Sequence, residues 1–332
     1  MRPMTAETAG ETDSSNDMSN VLPLPTPQRC EAEAAAHPEV ESWPAREADL
    51  GGGLRVVRAL PLRKHRLVGP WCFFDYYGPL SFTGRKAMDV APHPHIGLQT
   101  VSWLFSGEVL HNDSLGCEGT VRPGELNLMT AGRGIAHSEE TPPQNSGRLH
   151  GVQLWVALPD AERLREPAFH HYRDLPVLEP GGGSVHVFMG ELYGARSAGR
   201  AFSPMVGAEI RLGANGTLRV PIEPVWEHAL IMIEGEALLD GLRLAPGALH
   251  YLGTRRNGLE LESREAARAV LIGGAPFGES IVIWWNFVAR TADEIREARD
   301  DWQAGRRFGE VSAYRGRRLE APELVGRPRA DR

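Results

Sequence analysis

Lysine is almost missing from this 332-residue chain: Lys64 and Lys86 are the only two among its 36 basic side chains, a shortage that reflects a GC-rich genome more than any function. Cysteine is scarce as well. Cys30, Cys72 and Cys117 lie too far apart for a disulfide framework or a cysteine zinc motif, and they suit a reducing cytoplasm. No run of 18 apolar residues occurs, which excludes a membrane-spanning helix. The first residues lack the basic start and apolar core of a secretion signal, so export is not expected. Surplus charge is missing from the body of the chain. Residues 1–50 carry ten acids and three arginines, a balance of −7 that equals the net charge of the whole, and the remaining 282 residues hold 33 acids against 33 bases. A neutral body offers no clustered cations to displace counterions, so direct nucleic-acid binding is excluded. Arg306-Arg307 and Arg317-Arg318 read as solvated surface.

What the chain does have is punctuation: 37 glycines and 25 prolines. They separate short apolar stretches such as 98–105, 109–111, 125–129, 149–156, 185–189, 229–233 and 269–272. Regularly spaced short strands with Gly, Asn and Asp turns indicate an all-β sandwich or barrel. At roughly 150 residues per domain, the length suits two. Residues 1–45, rich in Ser, Thr, Pro, Glu and Ala, read as a disordered acidic tail. Residues 46–165 then form the first domain and 166–332 the second. An internal repeat supports the division. Val101 to Leu110 with Gly107-Glu108, followed by Pro123-Gly124, parallels Leu230 to Leu239 with Gly235-Glu236, followed by Pro246-Gly247. One helix starts at the capping box Thr291-Ala292-Asp293-Glu294, presents Ile295, Ala298 and Trp302 on one face, and ends before Gly305. A shorter one is expected over Asp160 to Arg165.

Chemistry concentrates in two places. In Pro92-His93-Pro94-His95 the histidines stand two residues apart, so a strand would point both the same way. With no bulge at Gly97, Val101, Trp103 and Phe105 would continue that face as an apolar lining. In Met129-Thr-Ala-Gly-Arg-Gly-Ile-Ala-His137-Ser138-Glu139, a Gly-rich turn precedes a second such pair. One pair alone could be packed histidines; two pairs together supply three imidazoles and one carboxylate, a set that suits iron(II), nickel, copper, manganese or zinc. Four protein ligands leave open positions on an octahedral ion for substrate and dioxygen.

These motifs resemble the pirin family of bicupins. The resemblance rests on Pro92-His-Pro-His-Ile-Gly97, Pro123-Gly124 with Met129 to Glu139, and His150-Gly-Val-Gln-Leu-Trp-Val-Ala-Leu-Pro159. Later in the chain it rests on Pro276-Phe277, Trp284-Trp285-Asn286-Phe287-Val288 and Arg307-Phe308-Gly309, and it covers roughly residues 50–325. It implies two tandem cupin (jelly-roll) β-barrels with a short C-terminal helix, and one divalent ion per chain, Fe(2+) first. The ion would sit in the first barrel only, on His93, His95, His137 and Glu139. Ordinary cupins carry a glutamate four residues after the second histidine; this chain has Gln99 there, so Glu139 supplies the carboxylate. Counted from the repeat, the places of His93 and His95 fall on Pro221 and Glu223, and His228 and His250 have no companion two residues away. Bacterial members resemble quercetin 2,3-dioxygenases, implying a flavonol-like aromatic substrate and dioxygen, with Glu139 as catalytic base. The eukaryotic relative is a metal-dependent co-regulator, implying instead a protein partner. His111 is expected in packing or a hydrogen bond to a ligand, His150 in structure, His170-His171 in a linker, and Cys117 as an ordinary thiol.

Overall fold

The computed structural model describes residues 39–50, 54–62, 65–84 and 86–324, with the short strand Gln28–Arg29. Most of the acidic tail therefore lies outside the described residues. Its end does not stay disordered: Glu41–Pro44 is a strand paired with Ala248–Gly253, and the Trp43 ring stacks with both His65 and Tyr251, at 4.1 and 4.9 Å.

Two sandwiches follow each other. In the first, a seven-stranded sheet runs in the order Ala168–Tyr172, Leu126–Thr130, Leu98–Gly107, Arg148–Ala157, Trp71–Ser81, Arg55–Leu60, Arg46–Asp49. It faces a four-stranded sheet in the order Asp89–His95, Ile135–Glu140, Val109–Asp113, Glu118–Val121. In the second, the matching four-stranded sheet is Thr217–Pro221, Gly258–Glu262, Ala237–Leu239, Leu242–Leu244, against a larger sheet centred on Ala267–Gly274. The expected tandem barrels are present. The strand Ala168–Tyr172 pairs with Leu126–Thr130, so His170 and His171 are not linker residues, and a boundary at 165/166 cuts the edge strand off the first barrel.

The barrels meet through their larger sheets. One apolar cluster joins Val101, Trp103, Phe105, Leu128, Val152 and Leu154 of the first to Phe188, Met205, Ile231, Val270 and Ile272 of the second. Polar bonds cross the same seam: Trp103 Nε1 donates to Glu209 Oε2 (2.9 Å), and the Gly69 N–H donates to Glu227 Oε2 (2.8 Å). Glu209 also faces Arg211 and Arg268. Trp103→Phe removes one charge-assisted bond at this seam and is expected to cost about 2 kcal/mol in a denaturant titration. A cost near zero would show that the two arginines satisfy Glu209 unaided.

Val101, Trp103 and Phe105 do not continue the histidine face; they point at the second barrel. The chain changes sheets at Gly97, whose φ is +68° and whose missing side chain leaves room for the Val288 carbonyl. Strands on opposite sheets of a sandwich face one interior from opposite sides, so odd positions point inward before Gly97 and even positions after it.

The C-terminal segment returns to the first barrel. The hairpin Ser280–Trp284/Phe287–Ala289 and the helix Ala292–Gln303 bury Trp284, Phe287, Ile295, Ala298 and Trp302 beside Ile96 and Ala136. The helix starts as expected: Thr291 Oγ1 accepts the Glu294 N–H at 3.2 Å, and Glu294 Oε2 accepts the Arg290 N–H at 2.8 Å. The shorter helix is absent; residues 160–165 form turns closed by bonds from the Glu162 and Arg163 N–H groups to the Pro159 carbonyl. No helix among the described residues is long and apolar enough to cross a membrane.

Candidate metal centre

The strand Asp89–His95 is an edge strand, which is where alternate prolines are tolerated because they cannot donate to a ladder. Pro92 and Pro94 therefore alternate with two inward histidines. Its single partner, Ile135–Glu140, sets His137 opposite His93 and Ile135 opposite His95. A register irregularity between His137 and Glu139 then places Glu139 opposite Val90. The result is a cluster in which one ring nitrogen each of His93, His95 and His137 lies within 4.8 Å of the other two, all three residues buried.

The protonation pattern shows that these residues suit a cation. His93 Nδ1 is 2.9 Å from the Ala91 carbonyl and His95 Nδ1 is 3.0 Å from the Asn286 carbonyl. A carbonyl only accepts, so both protons sit on Nδ1 and both Nε2 atoms keep a lone pair. Burial, with the neighbouring histidines adding to it, pushes the pKa of His93 down to about 4 and those of His95 and His137 well below the usual value. Neutral imidazoles with converging lone pairs fit a borderline divalent cation such as iron, nickel, copper or zinc.

Glu139 comes from the same strand but keeps different company. Its Oε1 is 3.3 Å from Ser102 Oγ, and Gln153 is a second hydrogen-bond partner. Burial raises its pKa to about 7, against the lowering effect of those two bonds. Tyr77 is buried nearby, its hydroxyl held well above its usual pKa by burial and by the Glu139 charge. Gln99 faces away, bonding Thr130 Oγ1 (3.0 Å) and the Arg200 carbonyl (3.1 Å).

Ser102 and Gln153 belong to a feature that the sequence reading missed. Across the inner face of the seven-stranded sheet, cross-strand neighbours form one polar row: Arg58, Asp75, Gln153, Ser102, Asn127, His171. Arg58 and Asp75, both fully buried, form a two-pronged ion pair at 2.8 and 2.7 Å, with the guanidinium 4.6 Å above the Phe73 ring. This row faces the histidine strands across the sandwich. A signal existed in the isolated Ser102 and Gln153 within long apolar strands, but which residues align depends on register.

The second barrel treats the same place differently. The strands corresponding to those of the histidines pair Val220 with Leu259 and Leu218 with Leu261, all buried within an aliphatic cluster. His150 is packed at the seam, 3.3 Å from Glu234 and edge-on to Phe105. The Cys117 thiol is pushed up by burial and by Asp113, in keeping with an ordinary thiol.

Two family models match this chain: one described as Pirin over residues 53–156, the other as the Pirin C-terminal cupin domain over residues 207–309. The chain belongs to the pirin family. It is 44% identical over 281 residues to a Pseudomonas aeruginosa protein provisionally named quercetin 2,3-dioxygenase, covering 84% of this chain and 89% of that one. The crystal structure of a quercetin 2,3-dioxygenase from Acinetobacter baumannii superimposes with a TM-score of 0.83 at 42% identity, covering 88% of this chain and 97% of that one. A bacterial pirin from Escherichia coli, solved in complex with nickel(II), shares the fold at a TM-score of 0.58 and 18% identity, covering 72% of this chain and all of that one.

Proposed function

We propose that this pirin is a mononuclear metal-dependent dioxygenase that opens the central ring of flavonols, with iron(II) held by His93, His95, His137 and Glu139 in the first barrel alone. The observation that carries the reading is the convergence of three buried, neutral imidazoles, two of them with the proton held on Nδ1, with the buried Glu139 two residues beyond His137 on the same strand. The names of the two relatives above 40% identity support the same substrate class. A divalent iron ion would acidify an enol hydroxyl bound to it and supply the redox chemistry that dioxygen needs.

The chain's own residues do the rest. The imidazoles contribute no charge, so Glu139 would leave a single positive charge in the cavity, which a flavonolate would cancel. Ser102 and Gln153 hold the Glu139 carboxylate in place. The value of about 7 belongs to the metal-free barrel; a bound cation would lower the basicity of Glu139 and would equally acidify the flavonol 3-hydroxyl, so that the O–H bond breaks and the proton passes to a free Glu139 oxygen. Burial of the site keeps bulk water from competing for that proton. We place the protein in the reducing cytoplasm, which its three widely spaced cysteines suit.

The test is anaerobic loading with iron, followed by oxygen uptake and carbon monoxide release on adding quercetin. Absence of uptake with the iron, nickel, copper and manganese forms would sink the flavonol assignment. His137→Ala is expected to abolish metal binding. Glu139→Gln, assayed at full iron occupancy, is expected to lose roughly 10²–10⁴ in turnover. Wild-type turnover per iron would move the proton acceptor elsewhere.

A further inference from the structure

His137 stands between two competing partners. Its Nε2 lies 3.1 Å from His95 Nε2, and its Nδ1 lies 3.2 Å from His111 Nδ1. A neutral imidazole carries one proton and can serve only one of them. A proton on Nε2 would be donated to the His95 lone pair and would close both nitrogens to a cation. A proton on Nδ1 would be donated to His111 and would leave Nε2 open. The choice falls on whatever sets the tautomer of His111.

That residue is tightly constrained. His111 stacks flat on Phe169, with centroids 4.1 Å apart and planes at 6°. Its Nε2 is 3.1 Å from Asp113 Oδ2. Asp113 is held in turn, because its Oδ1 accepts the N–H groups of Leu115 (2.9 Å) and Cys117 (3.0 Å). A carboxylate only accepts, so the His111 proton belongs on Nε2 and its Nδ1 presents a lone pair to His137. We propose that Asp113, acting through His111, is a positioning residue that fixes His137 as its Nδ1–H tautomer and so keeps the Nε2 lone pair aimed at the metal position. One polarity runs through the whole chain of bonds: Asp113 accepts from His111, and His111 accepts from His137. Such outer partners of a ligating histidine set both tautomer and ring orientation. The inference rests on the reading of the three histidines as a metal centre.

The decisive variant is Asp113→Asn, which keeps the shape and reverses the polarity. Two N–H groups converge on the Oδ1 position, so the amide oxygen is held there and the amide NH2 is turned toward His111 Nε2. That nitrogen must then accept, His111 must carry its proton on Nδ1, and His137 must accept there and hold its own proton on Nε2. The first readout is long-range 15N–1H correlation NMR of the metal-free protein at pH 8. Wild-type His137 is expected as the Nδ1–H form and the variant as the Nε2–H form. The second is divalent-metal affinity by competition with a chromophoric chelator, using zinc and anaerobic iron(II), where the variant is expected to bind about 10–100-fold more weakly. An Nε2–H tautomer in the wild type overturns the inference without any variant. A variant that binds both metals as tightly as the wild type overturns it too. If the wild type bound neither metal, the metal-centre reading would fall, while the tautomer measurement, made without metal, would still decide the relay.

Discussion

Glu139→Gln is expected to stabilise the metal-free protein, and the gain should grow with pH to about 3 kcal/mol at pH 8. Burial lifts the Glu139 pKa from 4.5 to about 7 in the folded chain. A raised pKa means that the native state holds the proton more tightly than the unfolded state. The benefit is complete below about pH 4.5 and is lost as pH rises through 7. A shift of this size corresponds to about 3 kcal/mol at 1.36 kcal/mol per unit. Glutamine stays neutral throughout and escapes that loss. The buried histidines oppose this trend in absolute terms, because their lowered pKa values cost stability as pH falls below about 6.5. The difference between wild type and variant cancels them. Urea titrations of chelator-treated protein at pH 5, 6, 7 and 8 provide the measurement. A constant difference across that range would show that the carboxylate is solvated in the native state. Restoring a divalent cation should invert the ranking, since the charge that weakens the empty barrel is the one a cation wants.

The second large effect concerns Arg58. Arg58→Met leaves the Asp75 carboxylate fully buried without its two-pronged partner, and a broken buried pair of this kind costs about 3–5 kcal/mol. Arg58→Met combined with Asp75→Leu should recover most of that loss, because removing both charges also removes the desolvation penalty. Denaturant unfolding of the single and double variants reads the comparison directly. A single variant within 1 kcal/mol of wild type would mean that water reaches Asp75 in the folded state.

The sequence made the two barrels, the capped helix and the two histidine-bearing pairs legible, because each is a local pattern: a period of two, a turn, a cap, a repeated Gly-Glu step. The facing of Trp103 was not legible, since it depends on a change of sheet at Gly97, and alternation carries no information across such a step. Nor was the polar row, whose members are drawn from six strands and meet only once register is fixed. Asp160 to Arg165 has helical composition, but six residues make little more than one turn, and here turn hydrogen bonds replace it. His111 is visible in the sequence as a histidine two residues from an aspartate, yet its contact with His137 depends on the neighbouring strand, whose register sets His137 opposite Asp113 and Glu139 opposite His111.

The unequal interiors of the two barrels have a consequence for how such a chain evolves. The two barrels share one plan of a larger and a four-stranded sheet, so each could have been filled in the same way. Here the second barrel has an aliphatic cluster between its sheets, with its buried Glu209 and Glu227 bonded across the seam, while the first keeps Arg58, Asp75, Asp113, Glu139 and several histidines away from water. Because one apolar cluster joins them, the first barrel cannot come apart without exposing a face of the second. Selection can therefore tolerate costly, reactive groups in the first barrel as long as the second stays well packed. Substitutions in the second barrel's leucine core should thus limit how far the first barrel can change its polar interior, although they lie far from the histidine cluster.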